Sequence, residues 1–128
     1  VERLPEQPHR PAAAVLGMGF IGMLAGQALQ LKGYRVLGGD LRADRLFLAE
    51  MAGYADAVWQ VPAPGGEALP EAFLRDECPV GRVDVACLTA VNAATLDLAA
   101  RLVRDGGTIL LLAGGSEDLA LPANLLYY

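Results

Sequence analysis

Short apolar runs alternate with amphipathic stretches along this chain. Residues 12–17 (AAAVLG) are continuously apolar and end in glycine, the mark of a parallel strand buried on both faces. Residues of about 20–32 (FIGMLAGQALQLK) predict a helix stopped by Gly33. Residues 34–39 (YRVLGG) predict a second strand, ending at Asp40. A second helix of about 43–52 follows, with Leu46 and Ala49 turned to the core, Leu48 a further candidate, and Gly53 as its stop. Ala57–Val61 is a short third strand. The loop VPAPGG (61–66) is the clearest break, and a weak helix of about 67–77 carries Ala68, Leu69, Ala72 and Phe73 as its apolar positions.

The second half continues the alternation. Val83–Leu88 (VDVACL) predicts a strand. Asn92 or Thr95 caps a helix running to about Arg104, with Leu96, Ala99, Leu102 and Val103 at helical spacing, and Gly106-Gly107 ends it. Thr108–Ala113 (TILLLA) is the next strand, and Asn124–Tyr128 (NLLYY) starts a sixth. Strands alternating with helices at this pitch mean α/β architecture: a doubly wound parallel sheet of about six strands, with right-handed crossovers placing helices on both faces. Residues 1–11 read as an extended lead-in and 12–128 as one domain.

Composition narrows the partners. The chain has 128 residues and 13.4 kDa, is 54% apolar and 6% aromatic, and carries a net charge of −5. That size suits one ordinary domain, and the apolar share excludes a disordered polar chain. Without a block of Lys or Arg, nucleic acid is not an expected partner. Cys78, Cys87 and the single His9 build neither a disulfide framework nor a zinc site nor a Ser-His-Asp triad, and Cys87 reads as a small core residue. The start VERLPEQPHRP lacks the pattern of a secretory signal. Pro11–Leu31 holds no charge over 21 residues, and Gly22-x-x-x-Gly26 imitates a membrane-helix motif. Its four glycines and two glutamines fit a strand, a turn and a helix better, so no membrane partner is expected.

The strongest chemical signal is Gly17-Met18-Gly19-Phe20-Ile21-Gly22. Alone, G-x-G-x-x-G is a weak motif. Here a strand precedes it, a helix follows it, and an acid stands at the second strand end. Gly17 permits the turn, Gly19 lets backbone approach a pyrophosphate, and Gly22 lets the helix pack on the strand. The positive helix end then faces the diphosphate. Asp40 lies 18 residues beyond Gly22, near the spacing of about 20 expected after such a turn. A carboxylate there accepts from ribose hydroxyls and repels a 2′-phosphate, which favours NAD over NADP. Leu41, Arg42 and Arg45 flank the adenosine edge. A purely structural glycine turn is the competing reading.

In open α/β sheets the ligand crosses the carboxyl ends of the strands at the switch point. That places Leu88–Val91 and Ala113–Gly115 on the nicotinamide side. Thr89 reads equally as a contact or a cap, whereas Asn92 and Ser116 read as caps or turns. Trp59 reads as packing, Asp84 as a strand start, and Asp97 as helix surface. Glu67, Glu71, Asp76 and Glu77 read as one solvated acidic face rather than a metal cluster.

From about Ala13 to Tyr128 the chain resembles the coenzyme-binding (Rossmann) domain of the medium-chain dehydrogenase/reductase family, the relatives of zinc alcohol, sorbitol and threonine dehydrogenases. The residues that carry the resemblance are VLGMGFIGMLAGQALQLKG (15–33), GDLRADRLFLAEMAGYADAV (39–58), VDVACLTAV (83–91), LVRDGGTILLLAGG (102–115) and PANLLYY (122–128). It implies that Gly17, Gly19, Phe20, Ile21 and Gly22 wrap the pyrophosphate, that Asp40 holds the adenosine ribose with Arg45 nearby, and that Thr89, Ala90, Val91, Ala113 and Gly114 border the nicotinamide ribose. The chain departs from the family at Thr89-Ala90-Val91-Asn92, where many relatives carry Glu-Ala-Val-Gly or a Thr-Gly pair, and over 62–82.

The family's zinc ligands and proton relay belong to a second, GroES-like domain with no counterpart here. The resemblance therefore implies a cytoplasmic, NAD-binding part of an oxidoreductase, with no catalytic residue and no metal ligand of its own and with zinc, if used, held in the missing catalytic domain. It also implies a homodimer through 124–128, an apolar edge that invites pairing. Two other classes share part of the pattern. Nucleotide-sensing regulatory domains of potassium transport carry the same turn and acid, but the Gly-Gly before the fifth strand and the NLLYY ending favour the dehydrogenase. Methyltransferases usually read G-x-G-x-G, against the Gly22 spacing.

Overall fold

The computed structural model describes residues 10–62 and 69–113. Five parallel strands form one sheet in the order β3-β2-β1-β4-β5. They are β1 (Ala12–Leu16), β2 (Arg35–Asp40), β3 (Ala57–Gln60), β4 (Val83–Leu88) and β5 (Val103–Leu111), with helices α1 (Phe20–Leu31), α2 (Ala43–Met51), α3 (Glu71–Glu77) and α4 (Ala93–Leu102) between them. This is the doubly wound α/β fold expected from the alternation. The candidate sixth strand at 124–128 lies outside the described residues, as do His9, Glu67, Ala68, Gly114, Gly115 and Ser116.

Strand β1 is central and shows why the chain must be apolar there. Its side chains alternate between two cores. Ala12, Ala14 and Leu16 join Leu74, Leu96 and Leu102 under α3 and α4, whereas Ala13 and Val15 join Leu29, Leu46 and Ala49 under α1 and α2. All five residues of β1 are buried. Small alanines let both helical layers approach closely. The uncharged stretch at 11–31 is thus a buried strand, a turn and a 12-residue helix. No helix among the described residues is long and apolar enough to cross a membrane.

Helix α1 turns Gly22, Gly26 and Leu29 to the sheet. A Cβ on Gly22 would lie 1.8 Å from the carbonyl oxygen of Gly17. The apparent membrane motif is therefore the seam between this helix and the layer it covers.

Several expectations are corrected. Leu48 faces solvent, because with Leu46 and Ala49 inward it falls on the far side of α2. In α3 the buried residue is Leu74, while Ala72 is exposed, and the helix begins only at Glu71. Helix α4 ends at Leu102 rather than near Arg104, and Val103 already belongs to β5. Gly106-Gly107 does not end the helix. It lies inside β5, where the pairing with β4 jumps from Val83↔Val103 to Val85↔Thr108 and Gly106 takes a φ of 75°. The expected acidic face is partly engaged, since Glu71 pairs with Arg82 and Glu77 with Arg35.

Asp84 does more than open a strand. It accepts the N–H of Ala12 at 2.8 Å and the Arg104 guanidinium at 2.6 Å, tying the start of β1 to β4 and β5. Partial burial raises its carboxyl pKa, but the Arg104 and Ala12 hydrogen bonds outweigh that, so the carboxyl lies below its ordinary value. A lowered folded-state pKa adds stability above the unfolded value of about 3.9 and loses it as pH falls through the folded value. Asp84→Asn is expected to lower the urea-unfolding free energy at pH 7 by ~1–2 kcal/mol. Its gap from wild type should shrink below about pH 4. A gap unchanged at pH 3 would show that the charge is not responsible. Gly22→Ala is expected to cost ~3 kcal/mol in the same measurement, because backbone rather than a flexible side chain blocks the new methyl; a change under about 0.5 kcal/mol would contradict the close approach.

Candidate functional site

The carboxyl ends of β1, β2 and β4 meet at the point where the chain, having wound outward through β2 and β3, crosses back to β4. Leu16 stands beside Gly39 on one side and Leu88 on the other. Ligands of open α/β sheets bind above such a switch point.

Between β1 and α1 the chain turns through Gly17 at a φ of 100°, a conformation that side-chain-bearing residues rarely adopt. The turn is tied to β2 by two short bonds. Gly17 donates its N–H to the Gly39 carbonyl at 2.7 Å, and Met18 donates to Oδ2 of Asp40 at 2.7 Å. Met18 is fully buried, beside Gly38. The motif pattern alone gave this x position no role, although an apolar residue between two glycines was the available signal.

Asp40 is buried, at 7% exposure. Its other oxygen, Oδ1, accepts the N–H of Arg42 at 2.8 Å. Arg45 stands by, with Nη1 3.8 Å from Oδ2, and its guanidinium lies against the open side of Gly19. Arg42 instead pairs with Asp44 at the exposed start of α2, an ion pair that raises the Arg42 pKa and lowers that of Asp44. Leu41 is exposed, and its carbonyl accepts from Gln60.

Helices α1, α2 and α4 start beyond these three strand ends and differ; α2 has no side-chain cap but carries Asp44 in its first turn. Asn92 and Thr95 form a complete capping box on α4, with the Asn92 side chain taking the Thr95 N–H at 2.9 Å. Both proposed capping residues therefore act together. Helix α1 starts at Gly19 with no side-chain cap and no acid in its first turn. Its positive end is left for something else. Phe20 and Ile21 flank that end and are exposed.

Thr89 is not a cap. Its hydroxyl donates to the Leu16 carbonyl at 2.9 Å, and its N–H reaches the same oxygen at 3.2 Å. Ala90 is exposed and accepts from Thr95, Val91 packs on the core, and Ala113 is half-buried. Trp59 packs against Phe73 with ring centroids 5.4 Å apart, as expected. Cys78 and Cys87 are buried, and burial raises the pKa of each thiol. No group of three or more His, Cys, Asp or Glu among the described residues could hold a metal ion.

No protein-family model matches the chain. An alcohol dehydrogenase from Rhizobium meliloti is 33% identical over 121 residues, which cover 93% of this chain and 34% of that protein. The solved alcohol dehydrogenase from Thermus sp. ATN1 superposes with a TM-score of 0.71 at 27% identity, over 91% of this chain and 35% of that one. The acetophenone reductase from Geotrichum candidum, solved in complex with NAD, gives 0.68 at 25% identity, over 91% and 30%. The chain thus spans about a third of the length of the relatives it matches. With its strand order and glycine turn the chain has a Rossmann-like α/β fold, and over nine-tenths of its length it is similar to alcohol dehydrogenases, in keeping with the resemblance to the coenzyme-binding domain of the medium-chain dehydrogenase/reductase family.

Proposed function

We propose that this chain is the NAD(H)-binding part of an alcohol dehydrogenase-like oxidoreductase. The observation that carries the reading is the pairing of an uncapped helix start at Gly19 with the buried carboxylate of Asp40 at the neighbouring strand end. The residues present fit a dinucleotide. Gly19 offers open backbone, with only the Arg45 guanidinium near the position of a Cβ, at 3.8 Å. That leaves room for a diphosphate on the N–H groups of Gly19–Gly22, with a cation beside it.

In this reading Gly17, Gly19, Phe20, Ile21 and Gly22 wrap the diphosphate. Asp40 accepts from the adenosine ribose, which Leu41, Arg42 and Arg45 flank. Thr89–Val91 and Ala113–Gly114 border the nicotinamide ribose. The nicotinamide, when bound, supplies the hydride acceptor or donor. This chain's residues bind and orient it. Activation of the substrate alcohol or carbonyl falls to a separate catalytic domain, which is also where any zinc belongs. Pairing of 124–128 across a dimer axis and a cytoplasmic location complete the same reading.

Asp40 has acceptor capacity left for ribose hydroxyls, because an ionised carboxylate offers about four lone-pair positions and two backbone N–H groups are in place. The carboxylate also opposes a 2′-phosphate. Calorimetric titration of the 128-residue chain is expected to show NADH binding more tightly than NADPH. Asp40→Asn is expected to weaken NADH about tenfold and to narrow the gap between the two. No binding of NADH at millimolar concentration would overturn the reading, and tighter NADPH binding would overturn the role of Asp40. The chain alone is expected to oxidise no alcohol.

A further inference from the structure

Thr89 lies at the end of β4 but spends its side chain on β1. Its Oγ1 donates to the carbonyl of Leu16 at 2.9 Å and stands 3.4 Å from the carbonyl of Gly17. It fills the space where a side chain on Gly17 would begin, 2.1 Å from an ideal Cβ. The hydroxyl therefore sits against the first residue of the glycine turn and fixes the direction of the Leu16–Gly17 peptide. The N–H of that same peptide, on Gly17, goes to Gly39, and the next, on Met18, goes to Asp40, both at 2.7 Å.

We propose that Thr89 is a positioning residue for the diphosphate site: it sets the crest of the glycine turn from the β4 side before any ligand arrives. The proposal rests on the dinucleotide reading and deepens it. Groups held by packing and hydrogen bonds in their binding geometry keep affinity that a loose turn loses. Thr89 needs no contact with the ligand for this. The bond is also separable from the sheet, because the N–H of residue 89 reaches the same carbonyl at 3.2 Å and remains when the hydroxyl is removed.

The test compares ADP, whose diphosphate reaches the turn in this reading, with adenosine, which stops short of it. Thr89→Val keeps the shape and removes the donor; Thr89→Ser keeps the donor. In calorimetric or NMR titrations, Thr89→Val is expected to weaken ADP and NADH roughly five- to tenfold, a single hydrogen bond's worth. Adenosine should stay within about twofold, and Thr89→Ser should return ADP to within about twofold of wild type. Thr89→Ala replaces Thr89→Val if the latter does not fold. Unchanged ADP affinity in Thr89→Val, an equal loss for adenosine, or no recovery in Thr89→Ser overturns the positioning role. A wild-type chain that binds neither ADP nor NADH overturns the dinucleotide reading, and this proposal with it.

Discussion

The structure turns on one close approach. Gly22 lies so near the Gly17 carbonyl that any side chain would meet it at 1.8 Å. Because nothing intervenes, α1 begins directly beyond the end of β1, and its axis runs back along the strand it covers. That places the positive end of the helix at the sheet's carboxyl edge rather than to one side of it. The alternation of β1 side chains between two cores then locks the strand from both faces, so the turn rests on a strand buried along its whole length.

A turn made of glycines has little stiffness of its own, and its neighbours supply what it lacks. Strand β2 takes two of its N–H groups, through the Gly39 carbonyl and the Asp40 carboxylate. Strand β4 answers from the other side through Thr89. The three strand ends that define the switch point are thus the three that hold the turn. The capping box on α4 marks the contrast. Helix α4 closes its start with side chains, and α2 and α3, which have no such cap, each carry an acid in the first turn. At α1 neither is present.

Much of this was legible because two periods, one of strands and one of helices, survive in a chain buried on both faces of its sheet. Val83–Leu88 was found to the residue, and β1, β2, α1 and α2 to within a residue or two. The acid at Asp40 and the glycines were readable for the same reason: turn geometry and close packing admit few residue types. The errors fall where a local signal had two readings. Gly106-Gly107 looks like a helix stop but takes up a jump in strand register. Val103 continues the helical spacing of α4, yet pairs with Val83 in the sheet. Asp84, Met18 and Thr89 each act through a partner 72, 22 or 73 positions away. Spacing along the chain carries no trace of such contacts, and only the register of the strands brings them together.

Asp40 joins these two themes, and it limits how the site can change. A buried carboxylate persists only where hydrogen bonds replace the water it has lost. Here the replacements are the N–H groups of Met18 and Arg42, one from the glycine turn and one from the start of α2. The group proposed to read the ribose is therefore also the group that ties the turn to β2. Exchanging it for a small residue would open space for a 2′-phosphate. The same exchange would strip the buried Met18 N–H of its acceptor, at a cost of ~1–3 kcal/mol per unsatisfied group, and would loosen the turn proposed to carry the diphosphate. In the proposed reading, cofactor preference and site geometry are coupled through this one side chain. A change of preference in this scaffold would have to bring in a new acceptor for Met18 together with the space for the phosphate.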